Sequence, residues 1–422
     1  MGQSSTSSCL VKGDTRHIPE RQEALIKVTG TTQDPVHTGA GTPPEAFVSE
    51  LKRAGVTFYA GVPDSLLKEF NAALSSMVPT THHVIAANEG SAVGIAAGYH
   101  LATGEIPLVY MQNSGLGNAI NPLASLTDPE VYALPLVLLI GWRGEPGVPD
   151  EPQHAKQGRV SPALLDTMEI PYRILGDEPE ATCAAAAWAA RMARERGGPT
   201  ALLARKGAFG GSGSAKRNDA TDVDTEWTRE AAIAAIADML PPSATVVATT
   251  GHIARELYEH RRRRHEEPGR DFLTVGSMGH ASQIALGLTL GGAAEPVVCL
   301  DGDGAALMHL GGLGTIGSCA PRGLVHVVLN NGVHDSVGAQ PTVGLDVSLT
   351  EIARACGYAS PQGPVTRITE LDAALEQALE AAGPGFLEVR VRPGARAELG
   401  RPQETPAQNR TAFMRRLGLP RT

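Results

Sequence analysis

The sequence predicts an α/β protein with two parallel-sheet domains, each doubly wound, with helices on both faces of its sheet. The first observation is that short apolar runs of strand length alternate with longer segments of helical character. The second is that this alternation occurs twice, on either side of Gly210–Asp224. Because that stretch is rich in Gly, Ser, Asp and Thr, it is typical of a linker between two domains.

The first half of the chain contains six apolar runs of strand length. A helix is predicted at Glu45–Arg53, before the first strand, and another at Ser65–Met77, after it. The predicted strands lie at Val56–Ala60, His83–Ala86, Leu108–Met111, Leu136–Ile140, Tyr172–Leu175 and Ala201–Ala204. The longest apolar stretch, Ala133–Trp142, is too short to cross a bilayer and is predicted to be a core strand.

The second half repeats the pattern with five more apolar runs. The predicted strands lie at Thr245–Ala248, Phe272–Val275, Val297–Leu300, Val325–Leu329 and Phe386–Val391. A helix at Ile253–His260 is followed by four arginines, Arg261–Arg264, which we expect to be its solvated cationic end. The predicted division is a disordered tail (1–40), a first domain (41–207), a linker (208–226), a second domain (227–395) and a C-terminal tail (396–422). That last tail is expected either to pack on the body or to fray.

Composition excludes several classes of function. The net charge of −9 argues against nucleic acid as a partner, and no apolar segment is long enough to predict a membrane partner. The five cysteines are scattered without a Cys-x-x-Cys pair, so neither a disulfide framework nor a zinc site is predicted. A reducing, cytoplasmic location fits this cysteine usage.

Two polar motifs at strand ends in the second half predict a magnesium site. Asp301-Gly302-Asp303-Gly304 follows one apolar run, and Asn330-Asn331 ends the next run about 25 residues later. Carboxylate and amide oxygens suit a hard cation such as Mg²⁺, and the glycines let the backbone approach a phosphate closely. A helix opening at Ala305 would point N–H groups toward that anion. From the spacing alone, a simple tight turn is the alternative.

Glu89 is a candidate acid in the first half. It lies between a predicted strand and a helix of small residues, Ser91–Ala102. Its position in a first helical turn is also typical of a capping glutamate, which is the alternative interpretation. The neighbouring Ile85, Ala86 and Val93 are apolar, so we expect desolvation to raise the pKa of this carboxyl group.

Several longer segments resemble one family of enzymes. These segments are Gly61–Ser65, Met111–Asn118, Gly141–Gly147, Asp150–Arg159 and Asn330–Ser336. Over roughly residues 43–393, the chain resembles the phosphonopyruvate decarboxylases, with the sulfopyruvate decarboxylases as nearest relatives. The resemblance implies the thiamine diphosphate-binding fold, with a pyrimidine-binding first domain, a diphosphate-binding second domain, and thiamine diphosphate and Mg²⁺ as cofactors.

The resemblance also implies roles for individual residues. Asp303, Asn331 and the main-chain oxygen of Val333 would hold Mg²⁺, and Glu89 would contact the pyrimidine N1′ atom of the cofactor. The other implied cofactor contacts are Thr250, Gly251, His252, Gly276, Ser277, Met278, Gly304, Ala305 and His334. Met278 would be the apolar wedge beneath the cofactor. Relatives often have Ser or Thr where this chain has Ala305, so the phosphate would rely more on backbone amides.

The implied reaction is the decarboxylation of 3-phosphonopyruvate to phosphonoacetaldehyde and CO₂, in phosphonate biosynthesis. A small anionic 2-oxo acid needs cations and N–H donors, which Arg143, His154, Lys156 and Arg159 would supply from a Gly/Pro-bounded loop that closes over it. The candidates for proton shuttling are Asp64, Ser65, His154 and His334. The family further implies a homo-oligomer, a dimer or larger, with active sites at the subunit interface.

Three alternatives remain at this point. Sulfopyruvate is the closest rival substrate, although the two domains of that relative are often separate chains. A carboligase of the acetolactate synthase kind would commonly have a flavin-binding middle domain, which this sequence lacks. A non-catalytic scaffold would be expected to have lost Glu89 or Asp303, and both are present.

Overall fold

Two parallel six-stranded sheets form the framework of the protein. The structure is a computed structural model that describes residues 41–210, 225, 227–266 and 269–418. These residues fall within one unit of the chain, Gly39–Thr422. The tail predicted at 1–40 and most of the predicted linker lie outside the described residues, so the predicted domain boundaries stay predictions.

The first sheet is built from the first half of the chain, in the order β2-β1-β3-β4-β6-β5. Its strands are β1 (Val56–Gly61), β2 (His83–Ile85), β3 (Ile106–Gln112), β4 (Leu136–Gly141), β5 (Tyr172–Leu175) and β6 (Pro199–Ala204). Its helices are α1 (Pro44–Arg53), α2 (Lys68–Met77), α3 (Glu89–Thr103), α4 (Leu116–Asn121), α5 (Pro152–Thr167) and α6 (Pro179–Arg196). Every strand pair is parallel, as the alternating pattern predicts.

Burial on both faces explains why the strands are apolar without interruption. Along β3, Leu108 and Tyr110 pack into one hydrophobic cluster, whereas Val109 and Met111 pack into the cluster on the opposite face. Successive side chains of a strand point to opposite faces, so helices on both sides require apolar residues at every position. The doubly wound arrangement predicted from the sequence is therefore confirmed for this sheet.

The second sheet has the order β13-β14-β10-β9-β7-β8, and a small antiparallel pair, β11-β12, lies beside it. The strands are β7 (Thr245–Ala248), β8 (Asp271–Leu273), β9 (Val297–Gly302), β10 (Leu324–Asn330), β11 (Val333–His334), β12 (Gln340–Pro341), β13 (Ser360–Val365) and β14 (Gly385–Arg390). The helices are α7 (Arg229–Met239), α8 (His252–Arg263), α9 (Ala281–Leu290), α10 (Asp303–Met308), α11 (Gly311–Cys319), α12 (Leu349–Ala355), α13 (Ile368–Leu379) and α14 (Pro406–Arg416). None of the helices described is long and apolar enough to cross a membrane.

Three local predictions need correction. Strand β13 was not predicted, because its sequence is polar and contains two prolines, which an edge strand paired only with β14 tolerates. Helix α10 begins at Asp303 rather than at Ala305, so the carboxylate lies in the first turn. Residues from Pro152 onward form helix α5 instead of a loop, since a proline at the first helical position favours a helix.

The C-terminal segment packs on the second sheet rather than fraying. Helix α14 begins with a capping box in which Thr405 and Gln408 exchange side-chain and backbone hydrogen bonds. The side chain of Asn409 bonds the backbone of β8 at two points, at 3.1 and 3.0 Å. The ring of Phe413 lies 5.5 Å from that of Phe272, centroid to centroid. These contacts fix α14 along the edge of the sheet.

The arginine run at the end of α8 is only partly solvated. Arg262–Arg264 are exposed, but Arg261 is buried and donates to both carboxylate oxygens of Asp271. Glu266 also accepts from Arg261, at 3.0 Å. The prediction of a wholly solvated cationic end is therefore wrong for Arg261, which forms a buried network with two carboxylates.

Candidate functional site

Polar residues follow three neighbouring strands of the first sheet at the same edge. β1 is followed by Asp64 and Ser65, β3 by Asn113, and β4 by Arg143. Carboxyl ends of parallel strands meet at one edge, which is where α/β proteins bind ligands. The Asn113 side chain donates to the main-chain oxygen of Arg143 at 2.9 Å and accepts from its N–H at 3.1 Å. The predicted residues at these strand ends are thus brought together.

Asp64 is a fully buried carboxyl group at this edge. Its oxygens accept from the side chain of Gln112 at 2.6 Å and from the N–H of Leu66 at 3.0 Å. Gly141 is required beside it, since a Cβ there would lie 2.0 Å from Asp64 Oδ2. Burial raises the pKa of Asp64, and the hydrogen bond from Gln112 only partly opposes this. A raised pKa suits a group that holds or passes a proton.

Ser65 is held by an arginine that is itself fixed. Arg143 Nη1 donates to Ser65 Oγ at 2.7 Å, while its Nε and Nη2 bind the two oxygens of Asp150. The N–H of Gly144 also donates to Asp150, at 2.8 Å. A forked arginine–carboxylate pair has one geometry, so the turn after β4 presents the guanidinium to the serine.

A cavity of about 210 Å³ opens beside this pair. Its lining includes Ser65, Trp142, Arg143, Asp150 and Lys206. Lys206 is not among the residues predicted from the sequence, although its position just beyond an apolar strand run marks it as a strand-end residue at the same edge. The cavity therefore has two cations and a hydroxyl group in its wall.

The three predicted cations of the neighbouring segment lie on α5. Lys156 and Arg159 are exposed, whereas His154 is buried at 8% exposure, and its Nδ1 atom has no hydrogen-bond partner among the described residues. Burial, together with repulsion from Arg143, lowers the pKa of His154 to about 4, so it is neutral at pH 7. The prediction that these three residues lie in a closing loop and are all cations is wrong: the segment is helical, and His154 is uncharged at pH 7.

Glu89 is the first residue of α3 and is 4% exposed. Asn88 caps the helix by accepting from the N–H of Ser91 at 2.8 Å. Asn118 Nδ2 donates to Glu89 Oε2 at 2.8 Å, and a Cβ at Gly115 would lie 2.0 Å from Oε1. Burial raises the pKa of Glu89, although the hydrogen bond from Asn118 lowers it in part. The helix start thus presents a carboxyl group that favours its protonated form.

Asp303 lies at the end of β9 and is 2% exposed. Its carboxylate accepts from the Thr342 hydroxyl group, and the nearby N–H groups of Gly304 and Asn331 lower its pKa. Burial raises the pKa of Asp303 to about 6, despite these hydrogen bonds. No cationic side chain pairs with Asp303 in the part of the chain that the structure describes. Thr342 was not predicted, and no pattern in the sequence marks it.

The atoms around Asp303 fit a divalent cation. Asn331 follows β10 and is 3% exposed, and its Oδ1 accepts from the N–H of Val333 at 3.1 Å. Carboxylate, amide and carbonyl oxygens are the ligands that Mg²⁺ prefers in proteins. A bound cation would supply the positive charge that the buried carboxylate lacks. The predicted set Asp303, Asn331 and Val333 is therefore brought to one place.

Two turns of the second sheet are joined at the same end. The Thr250 hydroxyl group accepts from the N–H of Gly276 at 3.1 Å. Gly251 and Gly276 have φ values of 103° and 71°, which favour glycine. Met278 is half-buried. These turns thus bring small residues together at one end of the second sheet.

Four further predicted residues lie near these turns. His252 is the first residue of α8, and burial lowers its pKa to about 4. Burial also lowers the pKa of His334 to about 4. The His334 ring packs against Gly304, since a Cβ at Gly304 would lie only 2.6 Å from His334 Cε1. Ser277 is exposed, with a φ of 48°, and Ala305 is buried in α10. The imidazoles of His252 and His334 are thus neutral at pH 7.

Contacts within the chain join the segments that carry the two groups of predicted site residues. Asn88 Nδ2 donates to the main-chain oxygen of Met308 at 3.3 Å, which links the start of α3 to α10. At Gly276 a Cβ would lie 3.2 Å from Cβ of Gln153, so α5 lies against the second sheet's turn. Glu89 is next to Asn88 in the sequence, and Asp303 lies five residues before Met308.

Two family matches cover most of the described residues. Residues 42–170 match the family described as "Thiamine pyrophosphate enzyme, N-terminal TPP binding domain". Residues 249–389 match the corresponding C-terminal TPP binding domain. The first match contains Glu89 and the second contains Asp303 and Asn331.

Individual relatives are similar over nearly the whole chain. Phosphonopyruvate decarboxylase of Streptomyces viridochromogenes is 38% identical over 375 residues, which is 86% of this chain and 91% of that protein. The enzyme of the same name from Streptomyces hygroscopicus is 38% identical over 85% of this chain and 90% of its own. Sulfopyruvate decarboxylase of Methanosarcina acetivorans is 30% identical over 75% and 82%. The chain therefore belongs to the thiamine pyrophosphate enzyme family, in the branch that contains these decarboxylases.

Proposed function

We propose that the protein catalyses the decarboxylation of 3-phosphonopyruvate to phosphonoacetaldehyde and CO₂, a step of phosphonate biosynthesis, with thiamine diphosphate and Mg²⁺. The observation that carries this proposal is the 38% identity to phosphonopyruvate decarboxylase over 91% of that protein. Sulfopyruvate is the second candidate substrate, because a sulfopyruvate decarboxylase is 30% identical over 82% of its length.

Glu89 supplies the acid that this cofactor needs. Thiamine diphosphate, when bound, provides a carbon nucleophile and accepts the electrons that carbon dioxide leaves behind. Glu89 holds a proton for the pyrimidine N1′ atom, because burial keeps its carboxyl group protonated beyond the usual pH range. Asn118 fixes the direction of that carboxyl group through its 2.8 Å hydrogen bond.

The second sheet holds the diphosphate and the metal. Asp303, Asn331 and the main-chain oxygen of Val333 would bind Mg²⁺. The small residues of the turns at Thr250 and Gly276 would let the phosphates approach the backbone closely. Neutral His252 and His334 can each donate or accept one hydrogen bond there.

The phosphonate or sulfonate group of the substrate requires cationic side chains at the edge of the first sheet. Arg143 and Lys206 line the cavity beside Ser65, so they can bind a phosphonate or sulfonate while Ser65 and Asp64 exchange protons near the reacting carbon. Lys156 and Arg159, exposed on α5, attract the anion from solvent.

We further propose a homo-oligomer in which active sites lie at subunit interfaces. Helix α3, which begins at Glu89, leaves Ile95 and Leu101 exposed at 37% and 69%. Nothing lies within 4 Å of the position that a Cβ would take at Gly94 or Gly98 on the same helix. An uncovered face of small and apolar residues suits close packing against a second subunit.

Release of CO₂ from phosphonopyruvate, sulfopyruvate and pyruvate, measured side by side with saturating cofactor and Mg²⁺, tests the substrate. We expect kcat/KM to be highest for phosphonopyruvate. A higher value for sulfopyruvate would establish the second candidate, whereas condensation products without an aldehyde product would indicate a carboligase instead.

A further inference from the structure

A buried ionic network contacts Asn331, the asparagine that would bind the metal. Arg229, the first residue of α7, is 4% exposed and binds Glu256 of α8 with two hydrogen bonds of 2.9 Å. The third nitrogen of Arg229, Nη1, contacts the carboxylate of Asp335. Asp335 in turn accepts from Asn331 Nδ2 at 2.8 Å. One arginine thus joins two carboxylates, and the second carboxylate touches Asn331.

The chemistry of a carboxylate fixes the orientation of the asparagine. An ionised carboxylate only accepts hydrogen bonds, so the atom of Asn331 that faces Asp335 must be the amide nitrogen. The amide oxygen is therefore directed away from Asp335, where it accepts from the N–H of Val333 at 3.1 Å. An amide oxygen has two acceptor positions, so one of them is left for a cation.

Asp335 is itself held at both oxygens. Its Oδ1 accepts from the N–H of Gly394 at 2.9 Å, while Oδ2 receives Asn331. Because Arg229 is locked by its forked contact with Glu256, the carboxylate has little freedom to rotate. We propose that Arg229, Glu256 and Asp335 are positioning residues that present the Asn331 oxygen to the metal. This inference rests on the proposed function in one respect only, the assignment of Asn331 as a metal ligand.

Asp335→Asn is the direct test, because it keeps the shape but adds a donor that removes the constraint on Asn331. Mn²⁺ is the probe, titrated into the full-length protein with thiamine diphosphate present and followed by the EPR signal of free Mn²⁺. We expect affinity for Mn²⁺ to fall by about 10–100-fold, the usual effect of losing a partner of a metal ligand. We also expect kcat to recover largely at saturating metal.

Asp271→Asn is a matched control, since Asp271 also pairs with a buried arginine that contacts a second carboxylate. It should lower Tm but leave affinity for Mn²⁺ within about twofold, because it does not touch Asn331. If Asp335→Asn fails to fold, Arg229→Lys, which keeps the charge but loses the fork, should weaken Mn²⁺ binding by at least about fivefold.

Two results would overturn the inference: parental affinity for Mn²⁺ in Asp335→Asn, or an equal loss in Asp271→Asn. Asp303→Ala separates this failure from a failure of the metal site. If Asp303→Ala abolishes Mn²⁺ binding while Asp335→Asn does not change it, only the positioning role is wrong. If neither variant affects binding, the assignment of the metal site itself is wrong.

Discussion

Glu89 and Asp303 are buried carboxyl groups with opposite requirements. Glu89 lies at a helix start with one amide donor, and burial raises its pKa and so favours its protonated form. Asp303 accepts from a hydroxyl group, and two nearby N–H groups lower its pKa, which prepares it to stay ionised beside a cation. Position at a strand end is common to both, and their surroundings decide the role of each.

Glu89→Gln should cut turnover by about 10²–10⁴, the range for loss of a general acid or base. Glutamine keeps the hydrogen-bonding shape but cannot hold an exchangeable acidic proton. Steady-state kinetics at saturating cofactor measure the loss, while Mn²⁺ titration and Tm should show an intact metal site and fold. Turnover near that of the parent would remove Glu89 from the mechanism.

His154 should make the protein less stable in acid. Its pKa in the folded protein is about 4, below the usual value near 6.5, so between these values the unfolded chain binds more protons. Its contribution to stability is present above pH 6.5 and is lost as the pH falls toward 4. We expect His154→Gln to show a shallower fall of Tm over this window than the parent.

Differential scanning fluorimetry of the protein without cofactor, at half-unit steps from pH 4 to pH 7, measures this fall. His265→Gln, which removes an exposed imidazole, is the control. Parallel curves for the parent and His154→Gln would show that the buried imidazole does not contribute.

At the scale of elements, the apolar runs predicted every central strand, because a strand covered on both faces is apolar throughout. Edge strand β13 escaped prediction since Pro361 and Pro364 are tolerated only where one side is unpaired. The structure places Glu89 shortly after β2, Asp303 directly after β9 and Asn331 directly after β10, as the strand-end motifs predict, and the roles of these residues stay predictions. Thr342 could not be found, because its proximity to the site depends on contacts between distant segments. Lys206 was missed although it follows a strand at the same edge, as the other site residues do.

Lys206 lines the cavity whereas Lys156 and Arg159 do not, which predicts unequal roles for these cations. Lys206→Met should lower kcat/KM for phosphonopyruvate, relative to pyruvate, by about 10–100-fold, as expected for one charge-assisted hydrogen bond. Lys156→Met and Arg159→Met, on the exposed face of α5, should lower kcat/KM for phosphonopyruvate relative to pyruvate by only about 2–5-fold, because solvent screens their charge.

The ratio of kcat/KM for phosphonopyruvate to that for pyruvate distinguishes a loss of anion recognition from a general loss of activity. Measurements at low and high salt add a second criterion, since only the effects of the exposed cations should shrink as salt rises. An equal decline for both substrates in Lys206→Met would show that this lysine supports the fold or the cofactor rather than the phosphonate.

For the molecule as a whole, two arrangements of the active site differ in which chains contribute to it. The contact of Asn88 with Met308 joins the two halves within one chain. The uncovered face of α3, with Ile95 and Leu101 exposed, favours a second subunit beside Glu89. The two arrangements differ in what a mixture of damaged chains can do.

Mixing Glu89→Ala chains with Asp303→Ala chains distinguishes these arrangements. If sites are shared, a hybrid dimer contains one intact site and one doubly damaged site, so an equal mixture should regain about a quarter of the parental activity. The control is Glu89→Ala mixed with the Glu89→Ala, Asp303→Ala double variant, which has no intact site in either arrangement. Native mass spectrometry should show that hybrids form in both mixtures. Hybrids without recovered activity would place each complete site within a single chain. The contact between Asn88 and Met308 would then be a contact within one active site.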